Sequence, residues 1–202
     1  VLEFVRNSGA YRAVQTRKID FVRLRDVDMS RTRVSESLPG YDWDRIIAYV
    51  RSPGVFVVID AVKATRPDYM TLTAFWHGRH IERIRDGVFT IATDSLQSLH
   101  FPQESGLRVE FLERTGKSEG SAPISRHRQD ETALYQTIAS QYKTGDRELF
   151  VTILTPFDRV KGSDDVPRAS LVPTSSPAGA VAVRLETGGR SLLIGVKLDL
   201  DS

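Results

Sequence analysis

YDWDRIIAYV at Tyr41–Val50, RSPG at Arg51–Gly54 and VFVVIDAV at Val55–Val62 form two apolar runs joined by a proline-glycine turn. Taken two by two, the first run puts Tyr41, Trp43, Arg45, Ile47 and Tyr49 on one face. The second is β-branched or aromatic on both faces from Val55 to Ile59. Alternation beside a continuous apolar run indicates a hairpin with one deeply buried strand. Closing the turn with Val50 opposite Val55 places Tyr49 against Phe56, Ile47 against Val58, Arg45 against Asp60 and Trp43 against Val62. The single charge on each inner face then meets the other. A turn one residue shorter would strand both, at a cost of several kcal/mol or so, so this register is preferred. The Arg45–Asp60 pair reads as structural.

Outward from this hairpin the chain continues as strands. YRAVQTRKIDFVRL (Tyr11–Leu24) alternates, with Val14, Ile19 and Phe21 as inward positions. DVDMSRTRVSESLP (Asp26–Pro39) is polar and turn-rich, with a short strand around Thr32–Val34. Pro67 and Asp68 mark a loop before YMTLTAFWH (Tyr69–His77), a strand with Met70, Leu72, Ala74 and Trp76 on one side. Asp86-Gly87 signals a hairpin between Ile81–Arg85 and Val88–Thr93. Short strands follow at Ser95–Phe101 and Leu107–Leu112, and 113–130 reads as a long surface loop. Ala133–Tyr142 keeps some helical spacing, but its β-rich surroundings favour a strand. ELFVTILTP is another buried strand, 161–179 a second long loop, and AVAVRLE with SLLIGVKL a closing hairpin. About ten to twelve short strands at intervals of roughly ten residues, with no sustained helix and no repeat, indicate an all-β fold, an antiparallel β-sandwich in one domain.

The 202 residues, 40% hydrophobic, suffice for a core of that kind. Lysine plus arginine exceeds aspartate plus glutamate by only 28 to 26 with no dense basic run, which argues against nucleic acid as a partner. The absence of cysteine excludes disulfides and thiolate chemistry. No apolar run approaches the roughly 20 residues of a membrane-spanning helix, so no membrane association is expected. The opening at Val1, in mid-pattern, reads as a piece of a longer protein.

Chemistry-bearing residues are few. His77 and His80, in WHGRH, offer two imidazoles at the end of a strand, without the helical spacing that converges on one ion, so no metal and no cofactor is expected. Asp42 and Asp44 share a strand face and read as an edge-facing, solvated pair beside Trp43. No nucleophile motif or phosphate loop occurs. Tyr41, Trp76, His77, Arg79 and His80 lie near strand ends, and flat rings beside cations suit the stacking of sugars and the binding of their carboxylates or sulfates. These five are the candidate substrate-binding residues. The competing reading puts both tryptophans in the core.

The series SRTRV (Ser30–Val34), GYDWDRIIAYV (Gly40–Val50), VFVVIDAV, FWH (Phe75–His77) and ELFVTILTP (Glu148–Pro156) resembles the C-terminal β-sandwich of heparinase II/III-like polysaccharide lyases. The likeness spans about Tyr11 to Pro156. It implies a parent enzyme that cleaves uronate-containing polysaccharides by β-elimination, with most catalytic groups on an N-terminal helical domain. The family's histidine-rich and H-N-T-like segments have no counterpart here, since no histidine precedes His77, and no catalytic residue carries over. The resemblance therefore implies a non-catalytic sandwich that packs on a helical domain, lines an acidic-polysaccharide cleft and works in the periplasm or outside the cell. The alternatives are a free-standing carbohydrate-binding module for acidic glycans, and an unfamiliar hydrolase or lyase using His77, His80 and Tyr41.

Overall fold

The computed structural model describes residues 2–4, 16–36, 40–92, 105–124, 131–158, 166–176 and 179–199, and its centre is the hairpin on which the sequence turns. β4 (Tyr41–Val50) and β5 (Val55–Ala64) pair antiparallel, with Tyr49 opposite Phe56, Ile47 opposite Val58, Arg45 opposite Asp60 and Trp43 opposite Val62. That is the expected register. The Gly54 amide closes the turn onto the Val50 carbonyl at 3.0 Å, and its φ of 86° is one that glycine adopts without a steric cost.

Thirteen further strands are described. They are β1 (Leu2–Phe4), β2 (Arg17–Arg23), β3 (Val27–Glu36), β6 (Asp68–Gly78), β7 (Ile81–Arg85), β8 (Val88–Ala92), β9 (Ser105–Phe111), β10 (Ser118–Pro123), β11 (Thr132–Tyr142), β12 (Arg147–Asp158), β13 (Arg168–Val172), β14 (Ala180–Thr187) and β15 (Arg190–Lys197). Among the described residues there is no helix, and every ladder is antiparallel. The strands form an eight-stranded sheet in the order β2-β3-β4-β5-β12-β9-β8-β7, a four-stranded sheet β1-β6-β11-β10 and a three-stranded sheet β13-β14-β15.

The eight-stranded sheet is the middle layer, and this explains the two-sided apolar pattern of β5. Val55, Val57, Ile59 and Ala61 pack with Val181, Val183, Leu185, Ile194 and Val196 of the three-stranded sheet. On the opposite face Val62 and Ala64, with Phe150 of β12, pack against Leu72 and Ala74 of the four-stranded sheet. A third cluster extends this side with Phe89, Val109 and Phe111 against Leu134. Each fully buried valine, leucine, isoleucine or phenylalanine among them contributes about 1.5–3 kcal/mol of hydrophobic stabilisation.

Several stretches differ from their reading in the sequence. β3 is ten residues long rather than a short strand at Thr32–Val34, because its polar residues alternate against a core face held by Val27 and Met29. The stretch 113–130 carries β10, which takes its hydrogen bonds from β11, and 161–179 carries β13, which pairs with β14. Long-range partners supplied order that local composition did not announce. Phe21 is exposed rather than inward, since β2 is the outermost strand of its sheet. Val14 and the strand expected at Ser95–Phe101 lie outside the described residues.

Asp44 corrects a further expectation. β4 lies between β3 and β5, not at an edge, and Asp44 is 4% exposed. Its carboxylate accepts hydrogen bonds from Arg31 and from Arg33 Nε and Nη2 at 2.6 and 2.8 Å. Arg31 also donates to the Lys197 and Leu198 carbonyls, each at 2.7 Å, and so ties the end of β15 to the middle sheet. Burial alone would raise the Asp44 pKa, but the hydrogen bonds and charges of Arg33 and Arg31 outweigh it and hold the group below its ordinary 3.8. A carboxyl more acidic in the folded than in the unfolded chain stabilises fully above the unfolded value and loses that contribution as pH falls through the folded one. Denaturation followed across acid pH should therefore show stability dropping below pH 3.8. The drop should be shallower in Asp44→Asn, and an identical slope in the variant would contradict the assignment.

Candidate functional site

On the side of the middle sheet facing the four-stranded sheet, strand alternation places Trp43, Arg45 and Asp60 together, and β6 brings Trp76 over them. The Asp60 side chain is 1% exposed and accepts three hydrogen bonds, from Arg45 Nε at 2.7 Å, Arg45 Nη2 at 2.9 Å and Trp43 Nε1 at 2.8 Å. The Arg45 guanidinium also lies 5.2 Å from the Trp43 ring centroid and 5.9 Å from that of Trp76. It is thus a fixed, permanently charged fork against two indoles, with Asp60 holding one edge. About a fifth of the Arg45 side chain reaches solvent, and its Nη1 has no hydrogen bond among the described residues. Trp76 Nε1 is buried without an acceptor there. The arrangement presents ring faces and a cation edge, which suits an anionic ligand with an apolar face.

The residues singled out in the sequence divide between two faces. Tyr41 lies on the same side of β4 as Trp43 and is buried with Val62, Ala64 and Leu72. Trp76 faces the middle sheet, packing against the cluster of Phe89, Val109, Phe111 and Leu134. His77, the next residue along an extended strand, points the other way. Its Nδ1 lies 3.0 Å from the Glu131 carboxylate, and its ring is 6.3 Å from that of Phe75. Arg79, half-buried, and His80, exposed with a φ of 48°, lie in the connection from β6 to β7. The structure brings Trp76 to Trp43 and Arg45, and turns His77 away from them. His100 and His127 lie outside the described residues, and among those described no group of three or more histidines or carboxylates could hold a metal ion.

The placement of Arg45 against both tryptophans is what sequence reasoning missed. The register partner of Arg45 was legible, but the contact with Trp76 is made between sheets. A second hidden cluster is Lys117, with Nζ 2.5 Å from Glu148 Oε1 and 5.3 Å from the Phe150 centroid, beside a Tyr142 hydroxyl that donates to Glu148 Oε2 at 3.0 Å. The Lys117 side chain is 2% exposed, although it comes from a stretch read as surface loop. Burial, then the charge of Glu148, pushes the Tyr142 phenol well above its ordinary range. It stays protonated at neutral pH.

No family model matches this sequence, and no curated protein matches it. Among solved structures, the heparan sulfate lyase HepC from Pedobacter heparinus superposes with a TM-score of 0.61 at 16% identity, over 93% of this chain and 29% of its own. A heparinase III superposes with a TM-score of 0.63 at 11% identity, over 91% of this chain and 28% of its own. The fold is that of a heparinase III domain. The likeness legible in the sequence thus holds at the level of the fold, and the chain spans less than a third of these relatives.

Two expectations concern the site. Asp60→Ala leaves Arg45 and Trp43 Nε1 without their acceptor and should destabilise the protein by about 3 kcal/mol, the low end for breaking a buried pair because Arg45 keeps some contact with water. Chemical denaturation measures this, and a loss under about 1 kcal/mol would mean the pair is not held as described. Both of the chain's tryptophans flank Arg45, so intrinsic fluorescence reports this site. An acidic glycan that reaches Arg45 should change the emission on titration, and saturable binding with unaltered emission would place the ligand elsewhere.

Proposed function

We propose that this chain is a non-catalytic β-sandwich of a heparinase III-like polysaccharide lyase, which lines an acidic-polysaccharide cleft and packs against a helical domain that carries the catalytic groups. The observation that carries this reading is the superposition of almost the whole chain on less than a third of a heparan sulfate lyase. The Arg45 guanidinium between Trp43 and Trp76 supports the cleft-lining role, since uronate carboxylates and sulfates bind planar guanidinium groups and sugar rings stack on indoles. Of the residues first singled out, Trp76 is the one this geometry favours for contact with the glycan. Tyr41 would act beneath it as packing, and Arg79 and His80 would line the rim at the connection from β6 to β7. His77, held by Glu131, would serve the outer face of the four-stranded sheet. Polymers of this class are met outside the cytoplasm, so we place the protein in the periplasm or among secreted proteins.

The test is to incubate the purified chain with heparan sulfate, following the ultraviolet absorbance of the unsaturated uronate that β-elimination creates, and in parallel to measure retention of the chain on immobilised heparan sulfate. The expected outcome is no absorbance rise together with retention reversed by salt. A rise would show that the chain carries its own catalytic set. No retention at low salt would remove the cleft-lining role.

A further inference from the structure

Among the described residues, the four-stranded sheet packs on only part of the face on which Arg45 lies. Its two clusters with the middle sheet involve β4, β5, β12, β9 and the β7–β8 hairpin, and include no residue of β2 or β3. Residues opposite one another on neighbouring strands share a face, so the ladders define three rows on it, exposed at β2 and closing to the buried Val58 and Asp60 at β5. Lys18, Thr32, Arg45 and Asp60 form one; Phe21, Ser30, Ile47 and Val58 the next; Arg23, Asp28, Tyr49 and Phe56 the third. Lys18 and Phe21 would fall on opposite faces of a regular strand. The bulge between Lys18 and Asp20 brings them to the same one, with Lys18 Nζ 5.5 Å from the Phe21 ring centroid.

This face alternates rings and cations. Phe21 is 55% exposed, and Tyr49 and Phe56 are half-buried with centroids 4.8 Å apart and planes inclined at 32°. Among the described residues, the three rows and the adjoining β4–β5 turn carry the cations Lys18, Arg23, Arg45 and Arg51 and the carboxylates Asp28 and Asp60. Asp28 is engaged by Arg51 and lies 4.0 Å from Arg23, while Asp60 is engaged by Arg45. Four positive charges against two negative leave two in surplus, and the side chains that carry it, Lys18 and Arg23, are exposed. Three strand spacings give the area a width of about 15 Å, enough for more than one sugar ring.

We propose that this face of β2–β5 is an extended subsite for an acidic glycan strand, with Phe21, Tyr49 and Phe56 as stacking rings and Lys18, Arg23 and Arg45 as partners for carboxylate or sulfate. The proposal rests on the reading of the chain as a polysaccharide-cleft domain. It extends that cleft away from Trp76 to the edge strand, and charge complementarity selects the occupant: isolated surface charges have small effects, whereas cations set beside rings match a ligand that is anionic at its substituents and apolar on its ring faces.

The test measures affinity for a heparan sulfate oligosaccharide with the unmodified chain, with Lys18→Gln/Phe21→Ala/Arg23→Gln, with Trp76→Ala, and with Arg184→Gln/Arg190→Gln at exposed positions of the three-stranded sheet. All substitutions on β2 are at exposed positions, so the fold should persist, which circular dichroism checks. The β2 variant should bind about tenfold more weakly, with a shallower salt dependence, and the equally discharged Arg184/Arg190 variant should bind as the unmodified chain does. Equal weakening in both would reduce the effect to bulk charge and overturn the proposal. Undiminished binding by the β2 variant, with weakening in Trp76→Ala, would overturn it and leave the cleft-lining function standing. Failure of the unmodified chain to bind would remove both.

Discussion

The Asp60 carboxylate is the constraint on which the arrangement of the middle sheet depends. It sits in β5, whose neighbours on both faces are apolar side chains, and a charge so placed is tolerated only with its acceptor sites filled. Arg45 and Trp43 fill them from β4. A slip of β4 by one residue would turn Arg45 to the opposite face and Trp43 with it, so the ion pair and the apolar pattern enforce one register together. The same pair fixes the Arg45 guanidinium between two indoles. Structural necessity and the proposed contact with an anionic glycan therefore fall on one side chain.

The opposite face of the sheet repeats this logic with different residues. Asp44 is surrounded by Arg31 and Arg33, and Arg31 reaches the carbonyls at the end of β15. Three layers must be joined without disulfides, and charge-assisted hydrogen bonds between layers give directional links that apolar packing lacks. Their placement at the β3–β4 side leaves the centre of the sheet to Ile46, Ala48, Val57 and Ile59. Among the described residues, the other surface of β2 and β3 takes no part in the clusters beneath the four-stranded sheet.

The sequence by itself determined the hairpins. Gly54, Asp86-Gly87 and Gly188-Gly189 sit between runs of alternating or continuous apolar residues, and each turn appears where its local chemistry requires it. The charge match of Arg45 with Asp60 was equally legible, because a register is a relation between neighbours joined by four residues of chain. Only the tertiary structure decided that the middle sheet has eight strands, that β10 and β13 are strands at all, and that Trp76 crosses to Arg45 while His77 turns to Glu131. Short polar strands such as SEGSAP draw their order from a partner ladder rather than from their own side chains. Contacts between layers join residues far apart in the chain, and no local periodicity encodes which face will meet which. The site built from Arg45, Trp43 and Trp76 is such a contact.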